Sequence, residues 1–290
     1  MNKSAGRGGP LTVKLRMESG EEMGFIVDTG SPGTVFDKSL ERKLGKRLGT
    51  MPMSRIGGRE QKAGIFPAPK IYLGSTELMT DARVFSYDFK QQPMGILGMD
   101  CLQHYCVQLD FEAGRIRFLG ADQVKGDGLG KAFPLTFARV GGANDGFIRP
   151  EICLGTLVGN SGTRMAIDLG CGPEGLVERG TNKFGGVFLP EYVWAGVTYT
   201  NLIFGAPGHA NALGLRFLAR HLVTLDFPRQ TLYLKLMRNG ALDEDGAKVG
   251  GGSARSSGMK FLLGLKQKDE LPGWPLGYKE PIFFDHLSSL

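Results

Sequence analysis

Apolar and polar residues alternate from Leu11 to Met17, which puts Leu11, Val13, Leu15 and Met17 on one face. That is the period of a half-buried strand. Glu18 to Glu22 supplies a polar turn, and Met23 to Val27 returns as a second strand. Its apolar end, Phe25, Ile26 and Val27, runs directly into Asp28, Thr29, Gly30 and Ser31. A carboxylate at the end of a buried strand is costly unless it finds partners, and the glycine allows a turn too tight for a side chain. Further short strands are expected at Thr34 to Phe36, Lys70 to Leu73 and Ala82 to Tyr87. Asp37 to Leu48 reads as a short surface helix capped by Asp37 or Ser39. Ser54 to Phe66, with Gly57 and Gly58 between polar flanks, has the composition of a hairpin. Met94 to Gly98 is apolar, and Asp100 to Tyr105 makes an amphipathic turn. Val107 to Phe111 and Arg115 to Leu119 then pair across Glu112 to Gly114.

The second half repeats this order. Ile167, Asp168, Leu169 and Gly170 echo the first aspartate loop, and Leu213-Gly214 matches Leu97-Gly98. Twelve residues beyond each of these glycines stands the aspartate of a Leu-Asp-Phe triplet, Asp110 and Asp226. Leu102, Val107 and Ile116 match Leu218, Val223 and Leu232 at equal offset. The spacing indicates two units, 11–120 and 147–236. They differ in one place: Asp28 to Gly98 is 70 residues, whereas Asp168 to Gly214 is 46. The additional stretch in the first unit holds the expected helix and the Gly57-Gly58 hairpin, so one unit carries a covering loop that the other lacks. Residues 239–258, with Gly250 to Gly252, read as a flexible linker. Residues 259–290 are apolar again but too few for a core of their own, and are expected as a tail that packs on the rest.

Composition sharpens the fold class. Glycine is frequent, with 45 in 290 residues, and short apolar segments alternate with turn residues. An all-β protein with many tight turns follows. The net charge of +6 is spread with acids interleaved, which describes a solvated surface. With no RNA-binding aromatic signature or zinc-finger spacing, a nucleic-acid partner is not expected. The cysteines at 101, 106, 153 and 171 form no Cys-x-x-Cys pair. Cys101, His104 and Cys106 lie in an apolar segment, where buried, inert thiols are the expectation rather than a metal site. No stretch has the length of a membrane span, and Met1 to Pro10 lacks the apolar core of an export signal. The compartment is left open, cytoplasmic by default.

Phe25 to Ser31, followed by Gly95 to Asp100 and Val107 to Phe111, resembles the retropepsin-like aspartic proteases. The two units together resemble a single-chain, bilobal relative of pepsin and retropepsin. The resemblance implies two pseudo-twofold-related β lobes with a cleft between them and one aspartate from each, Asp28 and Asp168. It makes the Ser54 to Phe66 hairpin, with Ile56, Gly57 and Gly58, the flap over a peptide or protein substrate. The Ile96 to Gly98 and Ala212 to Gly214 segments become the strands crossing behind each aspartate loop. Gly30 and Gly170 would let backbone amides reach the carboxylates. Thr29 would donate across to the opposite loop, and Ser31 would hydrogen-bond its own aspartate.

Two carboxylates in contact cannot both ionise cheaply, so such a pair retains one proton and titrates as a unit. The resemblance implies an endopeptidase needing no metal or organic cofactor, in which the pair activates a water. The second loop departs from the pattern: Leu169 stands where a hydroxyl residue is expected and Cys171 replaces the serine. Pro173 follows closely. Three readings therefore compete: an active endopeptidase, a degenerate pseudoprotease that binds peptides, and a non-enzymatic β-rich binding protein. With two units in one chain, a monomer pairing its own lobes is expected over a homodimer. Composition favours a pH optimum less acid than pepsin's.

Overall fold

The computed structural model describes residues 1–53, 61–90, 93–120, 123–124, 128–140, 147–154, 163–176, 187–205 and 211–242. The fold is all-β and bilobal, with two large sheets joined through a third. The first large sheet contains β1 (Thr12–Met17), β2 (Glu22–Val27), β3 (Val35–Asp37), β4 (Gly49–Met53), β5 (Gln61–Pro67), β6 (Ile71–Leu73), β7 (Thr76–Leu78), β8 (Arg83–Tyr87) and β9 (Gly95–Leu97). Their spatial order is β4-β5-β8-β3-β9-β2-β1-β6-β7. In β1 the alternation read from the sequence is the alternation of burial: Val13, Leu15 and Met17 face the core, while Lys14 is exposed. Such period-2 patterning fixes register, because a one-residue slip would turn the apolar face outward.

The helix expected over 37–48 is shorter and tighter, a 3-10 helix at Lys38–Lys43. Asp37 caps it, its carboxylate accepting from the Ser39 amide at 3.0 Å. Leu44 N–H bonds back to Glu41, Gly45 adopts φ +85°, and Leu48 N–H already bonds to Ile65. The chain thus leaves the helix to enter the β4–β5 hairpin, paired from Gly49↔Ile65 to Met53↔Gln61. Residues 54–60, and with them Ile56, Gly57 and Gly58, lie outside the described residues.

After α1 (Met99–Leu102) come β10 (Cys106–Asp110), β11 (Arg115–Leu119) and β12 (Lys131–Pro134). The second large sheet contains β13 (Thr136–Val140), β14 (Phe147–Leu154), β15 (Thr163–Ile167), β16 (Gly175–Leu176), β17 (Val187–Trp194), β18 (Val197–Gly205) and β19 (Ala212–Leu213). Their order is β13-β14-β15-β19-β16-β18-β17. Following α2 (Leu215–Leu218), β20 (His221–Asp226) and β21 (Thr231–Leu236) complete the joining sheet, β11-β10-β20-β21-β12.

Here β10 and β20 pair antiparallel, from Cys106↔Asp226 to Asp110↔Leu222, with Gln108 opposite Thr224. The Gln108 side-chain amide donates to Thr224 Oγ1 at 3.1 Å. One apolar core runs through the joint, since Val27, Leu97, Leu102 and Val107 belong to the same buried cluster as Ile167, Leu213, Leu218 and Val223. Asp110 and Asp226 close the hairpin turns of this sheet, accepting from Ala113 N–H at 2.9 Å and Arg229 N–H at 3.1 Å. Residues 243–290, and with them most of the expected linker and the whole tail, lie outside the described residues.

Candidate active site

Each aspartate sits at the end of a strand that pairs in parallel with a short apolar strand behind it. In the first lobe β2 pairs with β9, Val27 opposite Leu97, and Asp28 N–H bonds to Leu97 C=O at 3.0 Å. In the second, β15 pairs with β19, Ile167 opposite Leu213, and Asp168 N–H bonds to Leu213 C=O at 2.9 Å. The chain then returns antiparallel on the far side, as β3 beside β9 and β16 beside β19. Both aspartate loops are thereby wrapped around a buried strand.

The loops rest on the turns that open α1 and α2. Met99 N–H bonds to Ser31 C=O at 2.8 Å, and Leu215 N–H bonds to Cys171 C=O at 2.7 Å. Gly98 and Gly214 take nearly equal conformations, φ −100°, ψ −170° and φ −102°, ψ −179°. Extended backbone of this kind suits any residue; what demands glycine is proximity. A Cβ on Gly214 would run into Pro173 C=O and come 2.7 Å from Cys171 C=O, and one on Gly98 would meet Gly33 C=O.

Where the loops meet, Asp28 and Asp168 come together. A Cβ on Gly170 would lie 2.5 Å from the Asp28 Cγ, and one on Gly30 would lie 3.1 Å from both Asp168 oxygens. At 170 only glycine permits this approach, and at 30 a side chain would force the carboxylates to give way. Gly30 N–H donates to Asp28 Oδ1 at 2.7 Å; Gly170 and Cys171 N–H donate to Asp168 Oδ1 at 2.8 and 3.0 Å. Both carboxylates are buried, with relative exposures of 0% and 1%. Burial pushes the Asp28 carboxyl up to about 7, opposed by the Gly30 N–H, the Asp168 side chain, and the Ser31 and Gly170 backbone. Asp28 Oδ2 has no hydrogen-bond partner among the described residues.

Thr29 bridges the loops from one side. Its hydroxyl donates to Ile167 C=O at 2.5 Å and accepts from Leu169 N–H at 3.0 Å. Leu169 is fully buried and has no hydroxyl to return the contact. Ser31 differs from expectation. Its hydroxyl donates to Gly33 C=O at 2.8 Å rather than to Asp28, the turn at Pro32-Gly33 setting that carbonyl within its reach. Cys171 is buried, and desolvation together with Asp168 and Asp28 pushes its thiol well above the ordinary range. A thiol so placed stays protonated and is a poor nucleophile. The thiols of Cys101 and Cys106 are likewise buried and raised.

Two further contacts were not anticipated. Thr34, six residues past Asp28, donates to Asp100 Oδ1 at 2.8 Å and accepts from Gly98 N–H at 3.3 Å. Burial raises Asp100 to about 6, against the Thr34 hydrogen bonds. At the corresponding place in the second loop, six residues past Asp168, stands Glu174, whose carboxylate accepts from Arg220 at 2.6 Å. An arginine between the apolar pairs Leu218-Ala219 and Leu222-Val223 was the available signal.

A family model described as aspartyl protease matches residues 13–101, and this stretch belongs to the aspartyl protease, retropepsin-like family. The matched region holds Asp28, the hairpin and Gly98, and ends before the second aspartate loop. No curated protein matches the chain. No helix among the described residues is long and apolar enough to cross a membrane.

Proposed function

We propose that the chain is a single-chain aspartic endopeptidase that hydrolyses peptide bonds with a water activated by the Asp28–Asp168 pair. The observation that carries this reading is the contact of the two carboxylates between Gly30 and Gly170, where a Cβ at 170 would collide with Asp28 and one at 30 would crowd both aspartates. The ionised partner of the pair takes a proton from the water, whose oxygen attacks the scissile carbonyl carbon. The protonated partner hydrogen-bonds the carbonyl oxygen as it gains charge. When the C–N bond breaks, the departing nitrogen takes a proton back from the pair. The mechanism asks of the protein only positioned acids in a desolvated site, and the peptide substrate follows from the family of residues 13–101.

Two lobes related by a pseudo-twofold, spanning about 11–120 and 147–236, fit the joining sheet. From Gly98 and Gly214 onward the matching residues of the two units are separated by 116 positions. Gln108 and Thr224 have that separation and face one another, while Asp110 faces Leu222, the counterpart of Cys106. A strand that pairs with its own counterpart around a self-matching residue is what a twofold axis requires. The hairpin β4–β5 belongs to the first lobe, where we place the flap with Ile56, Gly57 and Gly58 at its tip.

A second reading, peptide binding without turnover, is favoured by one observation: Leu169 leaves the Thr29 bridge one-sided. Turnover of a diverse peptide mixture from acid to neutral pH separates the two. Hydrolysis by the wild type that is abolished in both Asp28→Asn and Asp168→Asn supports the endopeptidase. A folded wild type that retains peptides but cleaves none supports the binding protein. Full activity in Asp168→Ala that rises with protein concentration would instead mean that two chains each contribute Asp28.

A further inference from the structure

The geometry points to the buried Glu174–Arg220 pair as the positioning device of the second aspartate loop, taking over from the hydroxyl contacts that hold the first; this rests on the endopeptidase reading above. The first loop is fastened at two places, by the Thr29 hydroxyl and by Thr34, which joins Asp100 to Gly98 N–H. The second loop has Leu169 for Thr29 and Glu174 for Thr34, so neither hydroxyl is present.

The ion pair reaches where a hydroxyl could not. Arg220 Nη2 donates to Glu174 Oε1 at 2.6 Å, with side-chain exposures of 0% and 4%. Arg220 Nη1 donates to Thr200 C=O at 2.9 Å and Asn239 C=O at 2.5 Å. The guanidinium therefore ties the loop to β18 and to the chain leaving β21. Glu174 C=O accepts from Gly214 N–H at 2.9 Å, and Arg216 N–H bonds to Pro173 C=O at 3.3 Å. From Glu174 the restraint passes through Pro173, Gly172 and Cys171 to Gly170, whose amide holds Asp168 Oδ1.

A buried ion pair is weak evidence for stability, since apolar replacements of similar volume are often neutral or better. Its retention fits a part that specifies loop position. Within this pair Glu174 Oε2 and Arg220 Nε have no partner among the described residues, so the pair is not optimised as a stabilising network.

The test compares wild type with Glu174→Gln and with the double variant Glu174→Leu/Arg220→Met. The double variant removes both charges without stranding either, and Glu174→Gln keeps the size and a hydrogen bond if the double variant does not fold. Folding is checked by near-ultraviolet circular dichroism and melting. The expected result on a fluorogenic peptide is a fall in kcat of up to about 100-fold, the scale of a 1 Å misplacement, with KM little changed. Alongside, the titration of Asp28 and Asp168 is followed by NMR of carboxyl-labelled protein, which needs no turnover. A midpoint displaced from wild type in a folded variant supports the positioning role even if the wild type cleaves nothing, in which case only the endopeptidase reading fails. Folded variants with wild-type kcat and superimposable dyad titration would overturn the proposal.

Discussion

Replacing Thr29 by valine removes one oxygen and keeps the side chain's volume, so no cavity confuses the result. The hydroxyl serves two buried backbone groups of the opposite lobe, Ile167 C=O and Leu169 N–H. Both lose their partner at once. A buried polar group left unsatisfied costs about 1–3 kcal/mol, so the substitution is expected to cost about 2–6 kcal/mol. Against a total of roughly 5–15 kcal/mol for a folded domain, that is a large share for a single atom. Urea unfolding at a pH where the dyad holds one proton measures it, the midpoint falling while the slope stays constant. A loss under about 0.5 kcal/mol, the range of an ordinary surface change, would show that Thr29 does not join the lobes, and the argument for one-sided fastening would collapse.

Three other outcomes follow from the geometry. His221 is buried against Tyr199, its ring 3.0 Å from the phenol oxygen, and burial lowers it to about 4. The unfolded chain then binds the proton more readily, so stability is full above pH 6.5 and declines towards pH 4, by about 3 kcal/mol for a shift of this size. His221→Gln, measured by urea unfolding at pH 7 and 4.5, should lessen that decline; an unchanged difference contradicts it. For Asp28 the sign is opposite: burial raises its pKa to about 7, so its contribution is most favourable below pH 4 and is lost as pH rises through 7. Asp28→Asn should therefore be more stable than wild type at pH 8 and lose that advantage by pH 4, and wild-type hydrolysis should fall off above about neutral pH. An activity maximum below pH 4 counts against this account. Finally, Gly214→Ala places a methyl against the Pro173 carbonyl and should cost about 1–3 kcal/mol or more, together with most of the activity. Gly24→Ala, whose added carbon meets nothing within 4 Å, is the control, and equal effects at both sites would refute the packing argument.

Much of the first lobe was legible in the sequence because its strands are half-buried. In β1 and β2 the pattern of side chains is the pattern of burial, and the glycine loop follows from Asp28 emerging from an apolar strand. The joining hairpin of β10 and β11 was legible for the same reason, with Gly114 at its turn in the left-handed region. The 3-10 helix was overextended because charged residues from Arg42 to Arg47 read equally well as helix surface or turn. No strand was anticipated between 120 and 147, yet β12 and β13 lie there: β12 (Lys131–Pro134) is short, partly exposed and carries a proline, so it lacks the alternation that marks β1. Least legible was the Glu174–Arg220 pair. Charged residues are read as solvated by default, and only the fold brings these two together, 46 positions apart. The Ser31 hydroxyl shows a related limit, since a side chain's choice between a carboxylate and a nearby carbonyl depends on the turn that follows it.

The strand pairing at the joint bears on how the chain is made. Every strand of the first large sheet lies within residues 12–97, so that sheet can assemble early as the polypeptide leaves the ribosome. Yet β10 must wait for β20, residues 221–226, before its second edge is covered. During synthesis of the intervening hundred or so residues, the stretch from Cys106 to Asp110 presents an open edge to other nascent chains. Its counterpart in a neighbouring chain carries the same complementary register, so exchange of second lobes between chains is the characteristic error of this architecture.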